Sequence, residues 1–127
     1  MKSNVEIYTM ALVRAIQESE EYKAFERIKK KLADMPELKQ QINTYRKEAY
    51  ILQNYGDVST LYERTEEFQQ KYKTFKENPL AEEYLRCELA VCRMIRGITT
   101  QITDSVDLEL DEIVGEIIAL KENGSDI

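Results

Sequence analysis

The residues of this chain best suited to chemistry are its two cysteines, Cys87 and Cys92. They lie five positions apart in a segment predicted as helix, and five residues turn an α-helix by about 140°. The two sulfurs therefore point to different faces of that helix, which disfavours a disulfide or a shared metal within one chain. Two interpretations remain: small buried core residues, or one half of a cluster or redox site between subunits.

Histidine is absent from the sequence of 127 residues. Its absence removes the usual general base, most zinc sites and the histidine-containing motifs of di-iron bundles. The four glycines are scattered and form no phosphate-binding loop. We therefore predict that the protein is not an enzyme and that it has no catalytic residues, no cofactor and no metal.

Eight tyrosines supply aromatic rings, which can stack on RNA bases or contact a protein partner. Five of them fall on apolar helical stripes, where packing in a core is the better explanation: Tyr8, Tyr22, Tyr45, Tyr72 and Tyr84. The other three, near a predicted hairpin tip, are Tyr50, Tyr55 and Tyr62. They are interpreted either as ordinary surface tyrosines or as a partner-binding tip.

Two matched heptad stripes on either side of Gly56 predict the elements that position these residues. The first stripe contains Leu38, Ile42, Tyr45, Ala49 and Leu52, and the second contains Leu61, Thr65, Phe68, Tyr72 and Phe75. Two helices of similar length with such stripes fold back on each other as an antiparallel hairpin. In that hairpin we expect Phe68 and Tyr72 to pack against Tyr45 and Ala49.

The whole chain is predicted to be all-α, an antiparallel helical bundle with this central hairpin and a long C-terminal helix. Ser19 and Asn78-Pro79 are typical helix starts, and Gly56 is a typical helix stop. We predict a single helical domain, 1–127, with helices over about 4–18, 19–33, 35–55, 59–77 and 79–122.

The last predicted helix carries two apolar seams. One contains Leu80, Tyr84, Cys87, Val91, Met94 and Ile98, and the other contains Leu89, Cys92, Ile95, Ile102, Val106, Leu110, Ile113, Ile117 and Leu120. A helix with two apolar faces is sandwiched between neighbours, and the hairpin is too short to cover the second seam. We therefore predict a homodimer or larger oligomer with Gly97 and Gly115 as the easiest positions for a bend. The predicted interface residues are Val106, Leu110, Ile113, Ile117 and Leu120.

Charge is distributed unevenly along the chain. The net charge is −6, and residues 101–127 contribute eight acidic residues against Lys121, a net charge of −7. Phosphate groups are repelled by such a segment, so direct nucleic-acid binding by that end is disfavoured. The only basic cluster, Arg27 with Lys29, Lys30 and Lys31, is either a solvated helix end or a binding patch.

No apolar stretch is long enough to span a bilayer, so a cytoplasmic protein that does not contact a membrane is expected.

The order and spacing of several segments resemble the YlbF/YmcA family of small helical bacterial proteins over about residues 5–105. The segments are Ala11-Leu12-x-x-Ala15-Ile16-x-x-Ser19-Glu20-Glu21-Tyr22-Lys23-x-Phe25, then Leu32-x-x-x-Pro36-Glu37-Leu38, then Asn78-Pro79-Leu80-x-x-x-Tyr84-Leu85-x-x-Glu88-x-x-x-Cys92.

This resemblance implies an all-helical oligomer without enzymatic activity. Family members act with partner proteins as regulators of competence, sporulation and biofilm formation in Gram-positive bacteria, in part through RNase Y-dependent maturation of messenger RNA. The implied partners are a second copy, a family paralogue or an RNase Y-associated protein. Some members hold an iron–sulfur cluster through cysteines in a C-terminal tail, but this chain has no cysteine after Cys92. An iron–sulfur or other metal-binding bundle and a direct RNA-binding protein are the alternatives.

Overall fold

All regular structure in the described part of the chain is helical, which confirms the predicted all-α class. The computed structural model describes residues 1–122, and side chains as far as Leu120. The helices are α1 (Asn4–Gln17), α2 (Glu20–Leu32), α3 (Pro36–Asn54), α4 (Leu61–Lys71), α5 (Lys73–Lys76), α6 (Pro79–Ser105) and α7 (Leu110–Glu122), and a 3₁₀ turn, Val58–Thr60, precedes α4.

Local hydrogen bonds define the helix starts. The Ser19 hydroxyl accepts a bond from the backbone N–H of Tyr22 at 3.2 Å, which caps α2. The Asn78 side chain accepts bonds from the backbone N–H groups of Leu80 and Ala81 at the start of α6, where Pro79 has no N–H to satisfy. Both of these predicted starts are confirmed.

Where α2, α3 and α6 meet, they form the main core. Its buried residues are Ile28, Leu32, Ile42, Ala81, Tyr84 and Cys87. Tyr84 is the largest of them and is only 2% exposed. Its ring lies 5.2 Å from the ring of Phe25, and its hydroxyl accepts a 2.8 Å hydrogen bond from the ammonium group of Lys39. A buried phenol needs such a partner, because an unsatisfied hydroxyl in a core is costly.

An aromatic cluster joins α3 to α4 and α5. The Tyr45 ring lies 5.2 Å from Phe68, 5.1 Å from Tyr72 and 5.3 Å from Phe75. The predicted packing of Phe68 and Tyr72 on Tyr45 is therefore confirmed. The predicted helix 59–77 is divided at Tyr72, whose backbone lies outside helical geometry (φ −104°, ψ 12°).

The chain divides into two compact units, Met1–Cys92 and Arg93–Ile127. The structure also replaces the single predicted helix 79–122 by α6 and α7, which are separated by residues 106–109. Glu109 there has a φ of +58°, and its N–H donates to the Asp107 carboxylate at 2.8 Å. The break thus falls between the two glycines expected to allow a bend, because the Asp107 side chain offers the backbone a local alternative to the helix.

None of the described helices combines the length and the apolar character that crossing a lipid bilayer requires.

Candidate functional site

The tip of the hairpin is held together by one arginine. The guanidinium group of Arg64 donates hydrogen bonds to the Tyr55 carbonyl at 3.1 Å, to the Asp57 carbonyl at 2.8 Å and to the Thr60 hydroxyl at 3.0 Å. Gly56 lies directly against it, and a Cβ atom at this position would be 2.8 Å from the guanidinium carbon. Gly56 also has a φ of +95°, which an L-residue adopts only with strain. The predicted helix stop at Gly56 is therefore also the place where Arg64 closes the loop.

Asp57 completes the tip from the other side. Its carboxylate accepts a hydrogen bond from the backbone N–H of Ser59 at 3.0 Å and starts the 3₁₀ turn. Hydrogen bonds from the backbone and side chain of Ser59, together with the charge of Arg64, lower the pKa of Asp57 below its usual value. The carboxylate is therefore charged at neutral pH. The loop is held on one side by Arg64 and on the other by Asp57.

The three tyrosines of the predicted tip lie on the surface around this loop. Tyr50 and Tyr55 are brought together, with ring centroids 6.2 Å apart. Tyr62 lies in the first turn of α4 and is 76% exposed. The structure adds two exposed apolar residues that the sequence analysis did not select, Ile51 and Val58. We call these five residues the tip surface; it is aromatic, apolar and supported by a loop that Arg64 holds in place.

Glu48 of α3 and Tyr72, which follows α4, form a titratable pair whose pKa values are shifted in opposite directions. The Tyr72 hydroxyl donates to the Glu48 carboxylate, which also pairs with the ammonium group of Lys71 at 3.0 Å. Burial, followed by the hydrogen bond to Glu48, raises the pKa of Tyr72 to about 12. The bond from Tyr72 and then the bond from Lys71 lower the pKa of Glu48. A weak acid beside a weak base is poorly suited to proton transfer at neutral pH.

A shallow groove of about 690 Å³ runs beside this pair, between α3 and the start of α5. Gln41, Thr44, Tyr72 and Phe75 are among the residues that line it. The groove is open to solvent, whereas small-molecule sites usually enclose most of the ligand surface.

Cys87 and Cys92 differ in their surroundings. Cys87 is buried in the core, as predicted, but Cys92 is exposed, so the interpretation of both as core residues is wrong for Cys92. Within the described residues, no three side chains of the histidine, cysteine, aspartate and glutamate types come together as a metal site.

All five residues of the predicted oligomer interface are exposed in the structure. Leu110, Ile113, Ile117 and Leu120 lie on α7, and Val106 lies in the segment before it. At 100° per residue, six large apolar side chains of α7 fall within an arc of about 160°. Val114 and Ile118 complete this apolar face, and Asp111, Glu112, Gly115, Glu116 and Ala119 occupy the other side. The second seam of α6 is exposed as well, at Leu89, Ile95 and Ile102.

The sequence analysis did not select α1, which contains no buried residue. Tyr8 was expected in a core and is instead 72% exposed, so that prediction is wrong. The signal was present in the sequence, because Ile7, Met10 and Val13 make α1 apolar outside its main stripe. A helix that is apolar on more than one side is typical of a buried or sandwiched position.

The basic cluster on α2 is partly used in ion pairs. Lys29 pairs with Glu26, and Lys31 pairs with Glu83 of α6 at 3.7 Å. Arg27 and Lys30 are exposed. This arrangement favours a solvated helix end over a phosphate-binding patch.

Comparison with known proteins gives a consistent picture. The family model described as "Control of competence regulator ComK, YlbF/YmcA" matches residues 7–107. A "UPF0342 protein" of Caldicellulosiruptor bescii is 32% identical over 114 residues, which cover 86% of this chain and 94% of that protein. A second "UPF0342 protein", from Caldicellulosiruptor saccharolyticus, is 31% identical over 120 residues and covers 86% and 93%. No solved structure matches. The predicted resemblance is confirmed, and the chain belongs to the YlbF/YmcA family, which is described as regulatory and is not known as an enzyme family.

Proposed function

We propose that this protein is a non-catalytic regulatory adaptor that assembles with a second copy through the apolar faces of α6 and α7 and binds a partner protein. One observation carries the proposal: each large apolar side chain of α7 is 39–55% exposed, and all lie on one side of the helix. Monomeric soluble proteins rarely leave a continuous apolar strip of this kind in water. Membership of a regulatory family supports the same conclusion.

The energy available from this face sets the strength of assembly. Complete burial of a large apolar side chain contributes about 1.5–3 kcal/mol, so a half-exposed one contributes about 1 kcal/mol. Six such residues on each of two copies give about 12 kcal/mol against an association cost of about 4–15 kcal/mol. The α7 face alone therefore gives weak assembly at best. We infer that the exposed seam of α6, with Leu89, Ile95 and Ile102, contributes the remainder.

The chemistry of the described residues supports an adaptor over an enzyme. Tyr72 and Glu48 hold each other in the forms least suited to general acid–base catalysis. The groove beside this pair is shallow and open to solvent. We propose that the protein acts in the cytoplasm through contacts with a family paralogue or an RNase Y-associated protein, as the family resemblance implies.

Sedimentation velocity over a range of protein concentrations tests the assembly. The test variant is Ile113→Asp with Ile117→Asp, which places two charges on the apolar face. The matched control is Gly115→Asp with Ala119→Asp, which adds the same charge at the same spacing on the opposite face of α7. A Cβ at Gly115 has no atom within 4 Å, so the control fits sterically.

We expect the unmodified protein and the control to sediment as dimers or larger species at micromolar concentration, and the test variant to shift towards monomer. A monomer at high micromolar concentration for the unmodified protein would refute the proposal. Equal behaviour of the test and control variants would refute the assignment of the interface to this face. Circular dichroism of each variant shows whether helix content is retained.

A further inference from the structure

The tip surface is presented by a loop that is already ordered in the isolated chain. Arg64 fixes the carbonyl groups on both sides of Gly56, and Asp57 fixes the 3₁₀ turn. Val58, the first residue of the 3₁₀ turn, is 83% exposed. A rigid loop that displays aromatic and apolar side chains binds with little ordering cost, which is the property of a docking surface.

Charge identifies the kind of partner that this surface fits. Residues 50–67 contain four carboxylates, at Asp57, Glu63, Glu66 and Glu67, against one basic residue, Arg64. All four acidic residues are exposed, whereas the Arg64 guanidinium group is directed onto backbone carbonyls. The solvent side of the tip is therefore negative as well as aromatic.

Guanidinium groups match both properties. Arginine stacks on tyrosine rings through cation–π interactions and forms paired hydrogen bonds with carboxylates. Phosphate groups are repelled by the same carboxylates, which disfavours RNA. The acidic segment 101–127 of a second copy is also excluded, because it carries the same sign of charge.

We propose that the tip surface docks an arginine-bearing segment of a partner protein, with Tyr50, Tyr55 and Tyr62 contacting guanidinium planes, and Glu63 and Glu67 pairing with their charges. This inference rests on the proposed adaptor function and names the chemistry of its partner. Ile51 and Val58 add apolar contacts to the stem of the bound segment.

Fluorescence anisotropy with three labelled 15-residue peptides tests the proposal on the full chain. The peptides share one alanine- and leucine-containing frame, and their charged positions carry arginine, lysine or glutamate. We expect the arginine peptide to bind at micromolar concentration, the lysine peptide to bind several-fold more weakly and the glutamate peptide not to bind. A lysine peptide that binds as well as the arginine peptide would contradict recognition by ring faces and paired carboxylates.

Substitutions of tyrosine test whether the arginine peptide binds at the tip surface. Tyr55→Ala with Tyr62→Ala should weaken binding of the arginine peptide by about tenfold, as expected for the loss of two cation–π contacts. The control Tyr8→Ala removes an equally exposed tyrosine of α1 and should leave binding unchanged. Retained binding in the double variant, or equal loss in the control, would overturn the proposal.

A second pair of variants separates specific charge pairing from general attraction to an acidic protein. Glu63→Lys with Glu67→Lys should abolish binding, and Glu112→Lys with Glu116→Lys on the polar side of α7 should retain most of it. Equal losses in the two variants would show that the peptide follows net charge only. A labelled 15-nucleotide single-stranded RNA that binds better than the arginine peptide and is lost in the tyrosine double variant would also overturn the proposal.

Sedimentation of the tip variants makes the two proposals separable. If peptide binding fails while the protein still assembles, the arginine proposal is wrong and the adaptor proposal stands. If the arginine peptide binds while the unmodified protein sediments as a monomer, the assembly part of the adaptor proposal is wrong and the arginine proposal stands.

Discussion

Replacement of Tyr72 by phenylalanine removes one hydroxyl from the aromatic cluster and leaves the ring in place. Tyr72 is 8% exposed, and its hydroxyl donates to Glu48, whose side chain is 33% exposed. A hydrogen bond to a charged group contributes about 1.5–3 kcal/mol, and partial exposure of the acceptor reduces this, so we expect a loss of about 1–2 kcal/mol at pH 7. Tyr62→Phe, at an exposed position, is the matched control and should change stability little.

The effect of Tyr72→Phe should disappear at high pH. Tyr72 ionises near pH 10 in the unfolded chain and at about 12 in the folded protein. Its contribution is therefore present below pH 10 and is lost as the pH rises towards 12. A shift of two units corresponds to about 2.7 kcal/mol in total, of which about 1.4 kcal/mol is lost by pH 11. The unmodified protein and the variant should then have nearly equal stability at pH 11.

At low pH the difference should also shrink, for another reason. The pKa of Glu48 is lowered in the folded protein, so its contribution is present above the usual carboxyl value of 4.5 and is lost as the pH falls through the lowered value. Urea unfolding of both proteins at one fixed concentration, from pH 3 to pH 11, measures the two free energies. A difference that stays constant across this range would refute the argument that Tyr72 acts through an ionised Glu48 and a neutral phenol.

Two further predictions concern the core and the tip. Cys87 should react with a thiol reagent only when the protein unfolds, whereas Cys92 should react rapidly in dilute native protein. The reaction of Cys92 should become slower as the protein concentration rises, because Cys92 lies on the seam proposed for assembly. Equal rates for the two thiols would contradict the difference in burial. Gly56→Ala should cost about 1–2 kcal/mol in urea unfolding, from positive φ and displacement of Arg64. In an Arg64→Met background the cost should be smaller, and an equal cost would mean that the guanidinium group does not hold the loop.

The hairpin core is predictable from sequence because its information is local. Phe68, Tyr72 and Phe75 repeat at intervals of four and three, and this spacing keeps all three rings on the side that meets Tyr45, although the helix is divided at Tyr72. Helix starts at Ser19 and Asn78 follow from hydrogen bonds within three residues.

Features that depend on distant neighbours are not predictable in this way. Cys92 has the same periodic surroundings as a core residue, but periodicity shows which face is apolar and not whether another element covers it. Arg64 reaches back nine residues to the Tyr55 carbonyl, and a single arginine in a charged helix has no signature of that contact. The break at residues 106–109 is local, but it is not predicted for a different reason: it contains neither glycine nor proline, so the usual stop signals are missing.

The position of the core has a consequence for how much of this protein a cell can maintain. Within residues 1–120, every buried hydrophobic residue lies between Ile28 and Val91, and there are only eight. A core of this size gives a small margin against unfolding. Under the proposed assembly, mass action adds to that margin because a second copy binds only the folded chain. At low abundance a larger fraction of the copies would be unassembled and would unfold and be degraded, so that the abundance of the protein would set its own lifetime.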